Sequence, residues 1–176
     1  MNDTGAVATV VNAAAGTRAV TVNTAGTAAI GGFTDATATT LNISNSASAV
    51  ALGTFTAAKA TTVNYASTVA PTSITLTAAA ATTLNVSSTA ATTAAAVQAI
   101  TFAGNTALAT VNVTGTASLT ADLTTGATAV TLLDTTGTTG TNTVTLNTTT
   151  AVDGGAGKDL ITVAATTKAV ALGAGD

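Results

Sequence analysis

One phrase returns along this chain with only its middle residue changed: Thr40-Leu41-Asn42, Thr62-Val63-Asn64, Thr83-Leu84-Asn85 and Thr110-Val111-Asn112. The phrases begin at residues 40, 62, 83 and 110, in steps of 22, 21 and 27 residues. A fixed phrase at near-fixed spacing marks a repeat fold, in which each unit buries its apolar side only against its neighbours. Around each phrase apolar and polar residues alternate with period two, the pattern of a strand with one buried face. The alternation recurs at Val20-Thr21-Val22, Leu41-Asn42-Ile43, Val50-Ala51-Leu52, Val63-Asn64-Tyr65, Ile74-Thr75-Leu76 and Leu84-Asn85-Val86. It continues at Ile100-Thr101-Phe102, Val111-Asn112-Val113, Val130-Thr131-Leu132, Val144-Thr145-Leu146, Ile161-Thr162-Val163 and Val170-Ala171-Leu172. Each reads as a short strand with two inward anchors.

Between consecutive phrases lies one further strand, with Ala51, Thr75 or Thr101 in the Asn position. The simplest geometry is all-β: a parallel β-solenoid, or β-helix, whose coils of about 20 residues each give one strand to each of two sheets. Asn42, Asn64, Asn85 and Asn112 then stack as a ladder on one outer face. The competing arrangement is an Ig-like or Greek-key β-sandwich, which also places a strand about every 8 to 12 residues but seldom repeats one phrase at matching places.

Composition fits the thinner fold. The chain has 176 residues, 47% of them apolar, yet only 2% are aromatic (Phe33, Phe55, Phe102 and Tyr65). Two sheets about 10 Å apart are filled by two layers of Val, Ile and Leu, with no room for Trp-sized side chains. Thr suits the wet faces, because it is β-prone and keeps its hydroxyl in water. Loops such as Gly16-Thr17-Arg18, Gly115-Thr116-Ala117 and Gly126-Ala127-Thr128 open with Gly, where a turn can require positive φ. The Ala runs 78–81 and 94–96 permit helix by propensity, but flanking Thr residues and the lack of an apolar stripe argue against it.

The same composition removes whole classes of function. With no His, Cys or Trp and only Asp as an acid, the usual general bases, thiolate nucleophiles and imidazole ligands are missing, so no enzyme activity is expected. Four basic residues (Arg18, Lys59, Lys158 and Lys168) against seven acids leave no footprint for nucleic acid. Polar residues interrupt every apolar run well before the roughly 18 residues of a membrane-spanning helix. The opening MNDTGAVATVVNAAAG lacks the basic start of a cleavable secretory signal.

One segment carries chemistry. Residues 154–162, Gly-Gly-Ala-Gly-Lys-Asp-Leu-Ile-Thr, match every fixed position of the nonapeptide G-G-x-G-x-D-x-U-x, a calcium-binding β-roll repeat. Glycines let the turn fold with its carbonyl oxygens inward, Asp159 supplies a hard carboxylate, and Leu160-Ile161 begins the next strand. Gly173-Ala174-Gly175 repeats Gly155-Ala156-Gly157 eighteen residues on, one full β-roll turn. The expected metal ligands are therefore Gly154, Gly155, Gly157 and Asp159, joined by Asp153, Gly173, Gly175 and Asp176. Upstream, residues 140–144 align with 157–161 as a weakened copy, with Asn142 where Asp159 stands. Asp3, Asp35, Asp122 and Asp134 read as turn or solubility residues. The GGAGKD run is no phosphate loop, since Walker A needs Gly-Lys-Ser/Thr leading into a helix.

These residues, with the TTLNIS and TTLNVS phrases, resemble the calcium-dependent bacterial surface-layer (S-layer) proteins of the RTX type. The likeness is motif-level from Asp153 to Asp176 and stylistic elsewhere; Lys158, often acidic or Asn in such repeats, departs from it. The resemblance implies residues 1–150 as an Ala/Thr-rich β-solenoid and residues 151–176 as a truncated RTX β-roll turn, cut from a longer chain. It implies type I secretion, an extracellular cell-surface location, folding on external Ca2+, and self-assembly into a two-dimensional lattice. Anchoring to outer-membrane lipopolysaccharide would fall to regions not recognisable here. Two other readings share the solenoid: a secreted RTX adhesin stalk, and an ice-binding solenoid whose Thr-x-Thr face would be drawn from Ser73/Thr75, Ala99/Thr101, Ser118/Thr120 and Thr143/Thr145.

Overall fold

The computed structural model describes residues 2–3, 9–10, 17–24, 31–46, 51–69, 72–89, 97–116, 118–163 and 168–175. The described chain alternates between two sheets at every strand. The first sheet takes β1 (Asn2–Asp3), β3 (Ala19–Thr24), β5 (Thr40–Asn45), β7 (Thr62–Ser67), β9 (Thr83–Ser88), β11 (Thr110–Gly115), β13 (Leu132–Thr138), β15 (Ala151–Asp153) and β17 (Val170–Ala171). The second takes β2 (Thr9–Val10), β4 (Gly32–Thr34), β6 (Ala51–Thr56), β8 (Thr72–Thr77), β10 (Val97–Phe102), β12 (Ser118–Asp122), β14 (Asn142–Leu146) and β16 (Asp159–Val163). Every neighbouring pair is parallel and comes from successive coils. The chain is thus a two-sheet parallel β-solenoid, not a sandwich, and its sheets run through position 150 without a break.

The inner layers are the anchors of the alternating pattern. Leu41 and Ile43, Val63 and Tyr65, Leu84 and Val86, and Val111 and Val113 are buried from the first sheet, meeting Leu52 and Phe55, Ile74 and Leu76, and Ile100 and Phe102 from the second. Each fully buried Leu contributes roughly 1.5 to 3 kcal/mol, so the stack rests on many modest terms. The aromatics enter this column too: Phe33 lies one coil from Phe55, with ring centroids 6.4 Å apart. Tyr65 is accommodated because its hydroxyl donates to Gln98 Oε1 at 2.7 Å and bonds Thr72 Oγ1, while Gln98 Nε2 donates to the Val69 carbonyl and Ser88 Oγ. Burial raises the Tyr65 hydroxyl above its ordinary pKa.

Several expected strands shift. Val130-Thr131-Leu132 is not a strand with two anchors; Leu133 lies over Val111 and points inward, while Val130 closes a turn by donating its N–H to the Ala127 carbonyl. In β6 the register shifts between Ala51 and Thr54, with Gly53 at φ 71°, so Thr54 rather than Ala51 lies beside Thr75. The strands at Gly32–Thr34 and Ser118–Asp122 were not among those expected. Val50 and the Ala94–Ala96 run lie outside the described residues.

Small residues make the corner from the second sheet to the first. Ala57–Ala60, Ala78–Ala81, Asn105–Leu108 and Ala127–Val130 each close a four-residue turn, the last N–H donating to the first carbonyl at 3.0 to 3.2 Å. The Ala78–Ala81 run is therefore a turn with both end residues buried, not a helix. At the same corner Asp35 takes the place of the first Ala: its Oδ1 accepts from Thr37 N at 2.8 Å, Thr37 Oγ1 at 2.9 Å and Ala38 N at 3.1 Å, and its Oδ2 pairs with Arg18. Burial alone pushes this carboxyl up, but the Thr37 N–H, Arg18, the Thr37 hydroxyl and the Ala38 N–H together hold it below its ordinary value. Positive φ is realised at Gly115 (104°) and Gly126 (73°), as their loop-opening positions suggest. Gly16 falls outside the described residues.

Candidate functional site

The outer face of the first sheet holds the expected Asn ladder. Asn42, Asn64, Asn85 and Asn112 are in register on β5, β7, β9 and β11. Asn64 Nδ2 donates to Asn42 Oδ1 at 2.8 Å, Asn85 to Asn64 at 2.7 Å and Asn112 to Asn85 at 2.8 Å, while Asn42 itself donates to Thr21 Oγ1 at 3.3 Å. The next residue in register is Asp134, whose ionised carboxylate has no hydrogen to give. Asp134 Oδ1 instead accepts from Thr136 N and Thr136 Oγ1, and the β11–β13 register shifts just beyond Asn112.

On the second sheet the threonine face is incomplete. Thr54, Thr75 and Thr101 follow in register, but Ser118 pairs with Val97, and Ala99 with Thr120. That offset places Asp122 on the face beside Thr145, and Leu160 follows Thr143. A groove of about 460 Å³ crosses β10, β12 and β14 here, lined among others by Thr101, Thr120, Asp122, Thr143 and Thr145.

The glycine loop lies where coils narrow. Strand β14 aligns with β16 so that Asn142 faces Asp159, Thr143 faces Leu160 and Val144 faces Ile161, the alignment read from the weakened copy. Glycine is needed because backbone meets backbone. A Cβ on Gly157 would sit 2.1 Å from the Gly140 carbonyl oxygen, and one on Gly155 would sit 2.2 Å from that of Thr135. One coil further, Gly173 (φ 86°) lies over Gly155 and Gly175 over Ala156 and Gly157, while Ala174 N–H donates to the Gly155 carbonyl at 3.1 Å. Gly154 N–H donates to the Ala171 carbonyl at 2.7 Å. The eighteen-residue spacing is thus one coil, and the structure brings Gly154, Gly155, Gly157, Gly173 and Gly175 together. Asp153 is exposed on the outer face, in register with Asp134 and Ala171, and Asp176 lies outside the described residues.

Asp159 is held by the preceding coil. Its Oδ1 accepts from Asn142 Nδ2 at 2.7 Å and from Asn142 N at 3.3 Å, and its Oδ2 accepts from Thr135 Oγ1 at 3.2 Å. Asn142 is fully buried, and its own Oδ1 accepts the Leu119 N–H at 3.1 Å. The role of Asn142 was signalled only by its place in the weakened copy.

The glycine loop has two seams, and they differ toward a cation. Between residues 135–142 and 153–159, both Asp159 oxygens already accept protein hydrogens, so that seam does not fit a metal. Between residues 154–157 and 173–175 the donors are oxygens, which suits Ca2+: the carbonyls of Ala156 and Gly157 reach Gly175, with Asp153 nearby in sequence. Among the described residues no group of three or more carboxylates gathers. No protein-family model matches the chain, and comparison with curated proteins and with solved structures finds no match.

Proposed function

We propose that this chain is a structural segment of a bacterial surface layer, a secreted β-solenoid that packs with copies of itself into a two-dimensional coat on the cell exterior. The observation that carries the reading is the coil-on-coil register of the glycine loop: Gly173 over Gly155 and Gly175 over Gly157, one coil apart. Low charge supports close lateral packing, since a net charge of −3 over 176 residues gives copies little reason to repel. Solenoid faces are long, regular surfaces suited to repeated contact.

Calcium has a narrower place in this proposal than the nonapeptide match alone implies. The residues that would hold it are the carbonyls of Ala156 and Gly157 at the seam facing residues 173–175, with Asp153 as the carboxylate nearest in sequence; Asp176, also expected as a ligand, lies outside the described residues. A cation there would tie the last coil to the one before it, because its oxygens assemble only in the folded stack.

Electron microscopy of the purified chain at rising concentration, with and without Ca2+, tests the reading. Ordered sheets or lateral oligomers are expected with Ca2+; a monomer at every concentration, with or without Ca2+, sinks it. The threonine-lined groove on the second sheet favours one other reading, an adhesin stalk that holds a glycan on its flank. Glycan-array binding lost on Asp122→Ala, without sheet formation, would establish that reading instead. The ice-binding reading is disfavoured by Asp122 and Leu160, which interrupt the threonine face.

A further inference from the structure

Asn142 and Asp159 occupy equivalent places in consecutive loops, and the pair is bonded. In a stack of acidic loops, two carboxylates would meet here and something positive would have to lie between them. In this chain the upper member is an amide. Its Nδ2 donates to Asp159 Oδ1 at 2.7 Å and lies 3.4 Å from the Gly140 carbonyl oxygen, so a single nitrogen bridges a carboxylate and a loop carbonyl. Its Oδ1 is fixed by Leu119 N–H, which sets which way the amide faces. Thr135 Oγ1 supports the other carboxylate oxygen and also approaches the Asp153 carbonyl at 3.2 Å. The oxygens around Asn142 Nδ2 are those a hard cation would seek.

We propose that the Asn142 side-chain amide stands in for a shared cation, so that this seam is latched by protein alone and holds a latent Ca2+ site that Asn142→Asp would open. The inference rests on the register of two loops and not on the surface-layer reading. It divides the glycine region into a calcium-indifferent seam on the β14 side and a separate seam on the β17 side.

Residue-resolved amide hydrogen exchange on the full chain, in EDTA and in excess Ca2+, is the test. Wild-type β14 and β16 amides are expected to keep the same protection in both solutions. Asn142→Asp should lose roughly ten- to hundredfold protection there in EDTA, as a buried charge-assisted bond is replaced by two facing carboxylates, and should regain it with Ca2+. If that variant does not fold in EDTA, recovery of its circular dichroism on adding Ca2+ is the equivalent readout. Asp159→Asn should respond alike in both solutions, since an Asn acceptor still serves the Asn142 amide. A wild-type β14 that needs Ca2+, a Ca2+ response at β14 abolished by Asp159→Asn, or an Asn142→Asp chain that Ca2+ leaves unprotected would overturn the proposal. Amides of residues 154–157 and 170–175 report the other seam separately, so a failure there touches only the calcium part of the proposed function.

Discussion

The ladder coils, from β5 to β11, and the glycine coils, from β13 to β17, solve one stacking problem in opposite ways. In the first region side chains do the stacking: Leu and Val fill the inside, and Asn amides join coil to coil outside. In the second the backbone does more of it, with a cluster of glycines admitting carbonyl oxygens to distances no Cβ tolerates, while Asn142 and Thr135 link side chains to Asp159 across one seam. The apolar filling continues through Leu133, Val144, Leu146 and Val152, all buried, and thins only at the end, where Ile161 and Val170 are partly buried and Val163 is 39% exposed. A coil held by its interior tolerates changes at the surface; a coil held by backbone contact does not tolerate an added methyl group.

The contrast can be broken most forcefully in the core. Leu84→Ala should lose about 2 to 5 kcal/mol by denaturant unfolding, whereas Val163→Ala, at an inward position of the end coils that is part exposed, should lose under about 1 kcal/mol. Equal losses would mean that the core is as closed at β16 as at β9. Next in size is Gly157→Ala, whose Cβ would press on the Gly140 carbonyl; a loss of about 1 to 3 kcal/mol is expected, with proteolysis starting in the glycine coils. The matching change outside the glycine coils, Gly104→Ala, meets nothing within 4 Å and bears only the strain of φ 82°, so it should lose less than Gly157→Ala.

Asn85→Ala removes two ladder bonds at a half-buried site and should lose about 1 to 2 kcal/mol, with exchange quickening at β7 and β11 as well as β9. The smallest effect is in pH. Asp35 has its pKa held below 3.8 in the fold, so the stability it adds is present above 3.8 and is lost as pH falls through the folded value. Tyr65 has its pKa raised above 10.0, so stability is full below 10.0 and declines as pH rises beyond it. Circular dichroism against pH should therefore show Asp35→Asn flattening the acid limb and Tyr65→Phe the alkaline one.

What the sequence made legible follows from which parts repeat. Residues 40, 62, 83 and 110 open strands of matching register because the same phrase makes the same contacts in each coil, so the ladder is legible in the sequence itself. The glycine register was equally readable at residues 155–157 and 173–175, because only Gly fits where carbonyls crowd. Leu132 and Leu133 were not separable, since two adjacent apolar residues give alternation no phase; the neighbour Val111 decides which points inward. The corner at Ala127 is legible from the glycine before it and the Ala78–Ala81 run reads as non-helical, but Ala57 and Ala78 carry no turn signal of their own and declare their role only through burial. Asp159 was expected to face a metal, and the hydrogens it accepts come from residues seventeen and twenty-four positions earlier, which no local motif contains.

The Asn ladder also has an electrical axis. Every amide in it turns its hydrogens toward the earlier coil and its oxygen toward the later one, so four side-chain dipoles add head to tail along the rod, as peptide dipoles add in a helix. The negative end of that row arrives at Asp134, a like-signed group. The carboxylate accordingly takes its hydrogens from Thr136, and the row of dipoles stops there. A rod carrying such a vector is not the same from its two ends, and neighbours lying antiparallel would cancel the field that parallel neighbours would reinforce.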